Sequence, residues 1–218
     1  MSFYKENNRL LKQALEDGRI SSYLDILKLS DNEAYEHSID VATLTALCLD
    51  EMITVLECEY TEEECIEIIK GALLHDIGKA FLPFGIQHSS QKMDSYSREV
   101  IKSHSLLGFI SVKDSSLSDI VKNIIFLHHA NADGTGYPNH IDTDEKYTEE
   151  NVPSYVWIVS YADRFNAMTG TRRFKNSMTY KEAWDELNDL RINGKLPYKY
   201  ASYYHKAIHK LDIFNGDY

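Results

Sequence analysis

Imidazole and carboxylate side chains recur along this chain in a pattern that can bind more than one metal ion. The set comprises His37, His75, Asp76, His104, His128, His129 and Asp163. Neutral imidazole and ionised carboxylate suit divalent Mn, Fe, Co, Ni and Zn, and their mixture without thiolate is typical of hydrolytic rather than structural sites. A single histidine on an apolar helix face is more often a hydrogen-bonded core residue, so the combination of these residues is what predicts a metal site.

The adjacent pair His75 and Asp76 suits a site with two ions. Successive helical residues point about 100° apart, so the two side chains can reach neighbouring ions. A carboxylate has two oxygens, and Asp76 is therefore predicted to bridge the metals. An unpaired aspartate in an apolar core would take up a proton, and a cation removes that cost.

Helices must carry these residues, because apolar side chains recur at helical spacing and no strand-like alternation is sustained. A long helix from Glu33 should direct His37 inward, and the next should begin at a capping box, 61–64, and include His75 and Asp76 before Gly78 ends it. Further helices are predicted over about 4–16, 21–28, 97–112, 116–129, from Pro153, and over about 179–190, with Gly18 as a stop signal between the first two. The glycine-rich stretch 131–140 should be a loop.

Two segments resemble a known family. Residues 73–79 (Leu-Leu-His-Asp-Ile-Gly-Lys) and 128–138 (His-His-Ala-Asn-Ala-Asp-Gly-Thr-Gly-Tyr-Pro) are similar to the HD-GYP branch of the HD phosphohydrolase superfamily, whose members hydrolyse cyclic di-GMP. The resemblance spans roughly residues 29–190 and implies an all-α fold, the HD-domain helical bundle with a Gly-rich GYP loop. It divides the chain into an N-terminal helical extension, 1–28, and an HD-GYP domain with C-terminal helices, 29–218.

The resemblance also implies a ligand set for two or three divalent transition-metal ions, with Fe or Mn favoured and Co, Ni or Zn as alternatives. One metal would be held by His37, His75, Asp76 and Asp163, and the second by Asp76, His104, His128 and His129. Family members with a third ion have a glutamate at the position of Glu33. Glu33 could equally be an exposed acid at a helix start, where the helix dipole favours negative charge.

Catalytic and substrate-binding roles follow from the same resemblance. Asp76 and Lys79 are the predicted catalytic residues, although Lys79 could merely neutralise a helix C-terminus. The predicted substrate-binding residues are Lys79, Asp133, Gly134, Gly136, Tyr137, Arg172 and Lys175. Arg172 suits guanine and Lys175 suits a phosphate, although a solvated basic loop would have the same composition.

Three positions depart from the family pattern. Ala130 replaces the usual glutamate after the double histidine, Asn131 replaces a basic residue, and Asn166 replaces a frequent aspartate. We predict none of them to be a metal ligand. The loss of the glutamate would remove a group that usually supports the ligands, which could weaken metal affinity or change the preferred ligand.

Composition narrows the range of partners. The net charge of −11 disfavours a nucleic-acid polymer or an anionic membrane, but not a small anionic ligand bound by local cations or metals. Cys48, Cys58 and Cys65 lack disulfide or zinc spacing, and no signal or membrane segment is recognisable, so a cytoplasmic location is expected.

The function predicted from these observations is hydrolysis of cyclic di-GMP to the linear dinucleotide by a metal-dependent phosphodiesterase, with GMP as a further product left open. The alternatives are hydrolysis of another cyclic dinucleotide or of a nucleotide, and a non-catalytic cyclic-dinucleotide receptor or partner-binding module. A partner signalling protein or a homodimer is left open.

Overall fold

The computed structural model describes residues 7–87, 94–139, 144–170 and 177–215. Within these ranges the chain forms helices and no strand, which confirms the predicted all-α class. The helices are α1 (Arg9–Leu15), α2 (Gly18–Ser30), α3 (Asn32–Thr54), α4 (Glu62–Leu74), a 3₁₀ helix (Ile77–Phe81), α5 (Phe84–Gln87), α6 (Ser95–Lys102), α7 (His104–Val112), α8 (Asp119–Leu127), α9 (Ser154–Thr169), α10 (Tyr180–Ile192) and α11 (Ala201–Asn215).

The hydrophobic core lies where α4 packs between α3 and α8, with α9 against α3. The predicted inward face of α3 is confirmed, since Val41, Leu44, Cys48 and Met52 are fully buried on it. Burying one such side chain contributes about 1.5–3 kcal/mol, so this face anchors the helix. His37 lies one turn before Val41 on the same face and is therefore held at the core by its neighbours.

The predicted helix starts are confirmed at three places. Thr61 with Glu64, and Thr179 with Glu182, form complete capping boxes in which each threonine hydroxyl accepts a backbone N–H while the glutamate accepts the threonine N–H. Pro153 immediately precedes α9. These signals are local in sequence, because a capping box satisfies backbone donors within a single turn.

The prediction that Gly18 stops a helix was wrong. Gly18 is the first residue of α2, and the Asp17 carboxylate caps that helix by accepting the Arg19 N–H at 3.0 Å. Helix α2 continues to Ser30 and packs against α3 and the 3₁₀ helix. The domain boundary at residue 28 remains a prediction.

The predicted continuous helix over 97–112 was also wrong, since α6 and α7 are separate and Ser103 lies between them. The Ser103 hydroxyl donates to the Val100 carbonyl at 2.6 Å, and its N–H donates to the same carbonyl at 3.1 Å. These bonds tighten the last turn of α6. His104 then begins α7.

Gly78 does not end α4, which stops at Leu74, but lies in the following 3₁₀ helix. A Cβ atom on Gly78 would lie 1.8 Å from the His104 carbonyl oxygen and 2.6 Å from the Gly108 nitrogen. The glycine is therefore required by the close approach of the 3₁₀ helix to α7. In the part of the chain that the structure describes, no helix is both long and apolar enough to cross a membrane.

Candidate metal centre and adjoining pocket

The predicted ligand residues come together at the centre of the bundle, where several helices end. His75 caps the C-terminus of α4 and Asp76 follows it, while His128 caps α8 and His129 follows that residue. His104 begins α7. The buried faces of α3 and α9 add His37 and Asp163.

Side-chain donor atoms form two clusters, in each of which every donor lies within 4.8 Å of the others. One cluster contains Asp76, His104, His128 and His129, and the other contains His37, His75 and Asp163. Asp76 also faces the second cluster, because its Oδ2 lies 3.3 Å from His75 Nε2 and 3.7 Å from His37 Nε2. Its Oδ1 lies 3.3 Å from His104 Nε2. The two carboxylate oxygens thus face different clusters, as a bridging ligand requires.

Hydrogen bonds on Nδ1 orient four of the five imidazoles. His75 faces the Ala72 carbonyl at 2.8 Å, His104 the Ile101 carbonyl at 2.7 Å, and His128 the Ile125 carbonyl at 3.0 Å. A carbonyl can only accept, so each Nδ1 carries the proton and each Nε2 presents a lone pair to the centre. Metal-binding histidines in proteins have this arrangement.

His37 is held in the same way by an amide rather than by a backbone carbonyl. Its Nδ1 lies 2.6 Å from Asn166 Oδ1, and its Nε2 lies 3.0 Å from Asp163 Oδ1. Asn166 is buried in α9, three residues after Asp163 and therefore on the same side of that helix. The contact of Asn166 with His37 was not predicted, although the spacing of three residues between Asp163 and Asn166 could have indicated it.

Several buried atoms in the centre need a cation. His75 Nε2 and Asp76 Oδ1 are buried without a hydrogen-bond partner. His104 Nε2 and His128 Nε2 lie 3.2 Å apart, and with both Nδ1 atoms protonated neither can donate to the other. Unsatisfied buried acceptors are costly, and a divalent metal satisfies lone pairs of this kind. These residues therefore fit transition-metal ions.

The electrostatics favour ionised carboxylates and mostly neutral imidazoles, the forms that bind metal. Burial opposes the charge on Asp76, but Lys79 and His75 outweigh it and hold the pKa of Asp76 well below its usual range. Burial, with His75 and His104 nearby, lowers the pKa of His128 to about 3. Burial also opposes the charged form of His75, yet Asp76 and Asp163 raise the pKa of that ring. A metal cation bound between His75, Asp76 and Asp163 would supply the positive charge that a second proton on the His75 ring would otherwise provide.

Lys79 points back toward the centre from the 3₁₀ helix. Its ammonium donates to Asp76 Oδ2 at 2.5 Å, and its side chain is 22% exposed. It therefore balances the charge of the predicted bridging carboxylate. Its predicted contact with a substrate remains a prediction.

The glycine-rich loop packs onto the cluster of Asp76, His104, His128 and His129, called the histidine cluster below. A Cβ on Gly136 would lie 2.3 Å from the His129 carbonyl oxygen, so only glycine allows this approach. The Tyr137 ring then lies against the His129 ring, with centroids 4.6 Å apart. Arg164 secures the base of the loop by donating to the Ala130 carbonyl at 3.0 Å and to Asn131 Oδ1 at 2.8 Å.

Ala130 and Asn131, which depart from the family pattern after the double histidine, have different surroundings. Ala130 is 1% exposed and packs within the hydrophobic core, so no polar side chain supports the ligands from this position. Asn131 instead bonds Arg164 and also donates to the Thr135 hydroxyl at 3.0 Å. It therefore has a structural role in the loop.

A pocket of about 770 Å³ opens beside the histidine cluster. Its lining includes Glu99, Lys102, His129, Gly134, Gly136, Tyr137, Lys146 and Arg164. The predicted residues Gly134, Gly136 and Tyr137 thus share a pocket with a predicted metal ligand. The charged residues Glu99, Lys102, Lys146 and Arg164 were missed, since they belong to separate segments that only the fold brings together.

Other predicted residues lie elsewhere. Within the described part of the chain, Lys79 and Asp133 are not among the pocket-lining residues, and Asp133 pairs with Lys195 at 2.6 Å. Glu33 is exposed in the first turn of α3, outside both clusters of described residues. Arg172 and Lys175 lie outside the described residues.

The fold and this centre together define an all-helical domain with a buried polyhistidine and aspartate site open to a pocket. Comparison with known families agrees, since the HD domain profile matches residues 34–168. The chain belongs to the HD domain family. The resemblance inferred from the two motif segments is thereby confirmed.

Curated relatives and a solved structure extend the comparison. The chain is 30% identical over 197 residues to a cyclic di-GMP phosphodiesterase of Thermotoga maritima, which covers 89% of this chain and 48% of that protein. It is 30% identical over 128 residues to the 3'3'-cGAMP-specific phosphodiesterase 2 of Vibrio cholerae, covering 58% and 23%. The chain thus spans about half or less of these relatives.

The HD domain of the L. monocytogenes phosphodiesterase PgpH in complex with cyclic-di-AMP superposes with a TM-score of 0.63 at 18% identity. The match covers 88% of this chain and 96% of that one. At this identity it supports the fold alone.

Proposed function

We propose that this chain is a metal-dependent phosphodiesterase that hydrolyses cyclic di-GMP to the linear dinucleotide, with further hydrolysis to GMP left open. The observation that carries the proposal is that His129 belongs both to a metal-type cluster and to the lining of the pocket. A ligand in that pocket would therefore lie beside the predicted metals. The relatives named as cyclic di-GMP phosphodiesterases support the choice of substrate.

Two divalent ions would be held by the two clusters, with Asp76 between them. Mn or Fe is favoured by the family resemblance, and Co, Ni and Zn, which the same imidazole and carboxylate ligands suit, are the alternatives. When bound, such ions lower the pKa of water from about 15.7 toward 7 and polarise a phosphoryl oxygen. A third ion at Glu33 is part of the same proposal.

The chain's own residues would prepare the centre for this chemistry. The carbonyl bonds to Nδ1 of His75, His104 and His128 fix their lone pairs before any ligand arrives. Lys79 holds the Asp76 carboxylate in one orientation. A centre arranged in advance needs little reorganisation as charge develops during the reaction.

The charge of the pocket fits a small anion. The protein as a whole carries −11, yet Lys102, Lys146 and Arg164 all line this pocket. Local cations of this kind can bind a phosphodiester although the overall charge repels a nucleic-acid polymer. Arg172 and Lys175 remain proposed contacts for guanine and phosphate.

The test is to incubate protein loaded with Mn or Fe with cyclic di-GMP, cyclic GMP-AMP and cyclic di-AMP, and to separate the products by chromatography. We expect linear product from cyclic di-GMP, none after chelation, and none from Asp76→Asn. A preference for another cyclic dinucleotide would correct the substrate. Tight binding without product for any of Mn, Fe, Co, Ni and Zn would establish a receptor instead, an alternative favoured by the missing polar group at Ala130.

A further inference from the structure

We infer that Lys102, assisted by Lys146, binds the second phosphate of a cyclic dinucleotide, the phosphate that is not being cut. The inference rests on the proposed function. It also provides a recognition element within the described pocket, independent of Arg172 and Lys175.

A cyclic dinucleotide places two demands on a pocket. Its two phosphodiesters each carry a negative charge, and metals at one side can neutralise only the phosphate they bind. The other phosphate must lose part of its hydration on entering, which is costly unless a cation replaces the water. A charge-assisted hydrogen bond from an ammonium group meets this need.

The cations of the described pocket differ in their availability. Arg164 already donates to the Ala130 carbonyl and to Asn131, so its role is to hold the loop. Among the described residues, the Lys102 ammonium donates to Glu99 at 2.6 Å and lies over the Tyr137 ring, and its side chain is 45% exposed. An ammonium in this setting can turn to an incoming anion without breaking the loop.

The position of Lys102 allows it to contact a ligand that also reaches the predicted metals. It ends α6, two residues before His104, and its ammonium lies 5.9 Å from the centre of the Tyr137 ring. The same ring lies 4.6 Å from the His129 ring and 6.2 Å from the His104 ring, between centroids. The Lys102 ammonium and two predicted metal ligands therefore share Tyr137 as a neighbour, so a ligand that reaches the metals can also reach this ammonium.

Lys146 approaches the same pocket over the glycine-rich loop. A Cβ on Gly134 would lie 3.0 Å from Lys146 Cβ and 3.1 Å from its Cδ. Gly134, whose φ is +78°, therefore leaves room for the stem of this lysine to cross the loop. The sequence separates Lys102 and Lys146 widely, but the fold places both at one pocket.

Glu99 should oppose ligand binding, and this effect can be measured. Its carboxylate is the partner of Lys102, and it also lines the pocket, so it competes with an anionic ligand for the ammonium. Loss of this charge should strengthen binding of the ligand. Lys102→Gln and Glu99→Gln are therefore expected to act in opposite directions.

The experiment compares metal-loaded wild type with both variants on cyclic di-GMP and on bis(p-nitrophenyl) phosphate, which has a single phosphodiester. Lys102→Gln should raise KM for cyclic di-GMP roughly 5- to 15-fold with little change in kcat. This factor lies between the loss of an exposed ion pair and the loss of a hydrogen bond to a charged group. The change in KM for bis(p-nitrophenyl) phosphate in the same variant should be much smaller. Glu99→Gln should lower KM for cyclic di-GMP. Lys181→Gln, which removes a surface lysine paired with Asp185, is the matched control and should match wild type.

Equal losses on both substrates, or an unchanged KM for cyclic di-GMP in Lys102→Gln, would overturn the inference. Calorimetric titration of cyclic di-GMP separates this failure from failure of the proposed function. If wild type binds without cleaving, the proposed function fails, and the ratio of the dissociation constants of wild type and Lys102→Gln decides the inference. If wild type neither binds nor cleaves cyclic dinucleotides, both are wrong.

Discussion

The hydrogen bond between Asn166 and His37 makes a specific prediction about metal affinity. The two side chains meet at 2.6 Å, and both are at most 9% exposed. Leucine at position 166 would fill similar space but offer no acceptor. The His37 proton would then move to Nε2, where Asp163 Oδ1 at 3.0 Å can accept it.

This change in the His37 tautomer determines how much metal affinity is lost. In Asn166→Leu a metal must displace the proton from Nε2 and leave Nδ1–H buried without an acceptor, which costs about 1–3 kcal/mol. That cost corresponds to a loss of affinity of about 5- to 150-fold, a range that contains the usual effect, about 10- to 100-fold, of removing a group that supports a metal ligand. The loss should fall on the cluster of His37, His75 and Asp163. The other cluster should change little.

The assay is competition of the metal-free protein with a chelating indicator for Mn²⁺ and Zn²⁺, fitted with two binding steps. Asn166→Asp is the matched control, since it keeps an acceptor and adds a charge, and it should bind metal at least as tightly as wild type. Thermal unfolding of the metal-free variants separates misfolding from loss of affinity. Equal affinity of Asn166→Leu and wild type at both steps, in folded protein, would refute the reasoning.

Three further predictions concern the centre and its support. Asp76→Asn should strip bound metal and abolish hydrolysis while circular dichroism stays helical, and full metal content by elemental analysis would exclude the bridging role. Glu33→Ala should lower the metal content by one ion, and an unchanged content would leave Glu33 as a surface acid at a helix start. Gly78→Ala places a Cβ 1.8 Å from the His104 carbonyl and should destabilise the fold by about 1–3 kcal/mol in denaturant unfolding, whereas Gly18→Ala, with nothing within 4 Å, should not. Equal effects of the two glycine variants would mean that the 3₁₀ helix does not need this close approach.

Features that depend on neighbouring residues in the sequence were predictable. The capping boxes at Thr61 and Thr179 satisfy backbone donors within one turn, so their residues suffice to place the helix starts. The apolar spacing that directs His37 inward likewise depends on one helix. The proximity of the seven predicted ligand side chains followed from the motif resemblance rather than from any local rule, and the fold brings all of them together.

Features that depend on packing between distant segments were not predictable from local patterns. The close approach of Gly78 to the His104 carbonyl depends on how the 3₁₀ helix meets α7, directly after the break at Ser103. The bond from His37 to Asn166 joins two helices that are far apart in sequence. Lys102 resembles any surface lysine until the loop with Tyr137 is placed beside it.

The most direct test of the central claim is anomalous diffraction from crystals soaked with Mn²⁺. We predict two strong peaks about 3.5–4 Å apart, the separation usual in two-metal hydrolytic centres. One should lie among His37, His75 and Asp163, the other among His104, His128 and His129, with one Asp76 oxygen on each. The proposed third ion should give a separate, third peak at Glu33, and absence of that peak would remove this ion from the proposal without affecting the two-metal centre. A single peak, or two peaks without Asp76 between them, would contradict the account.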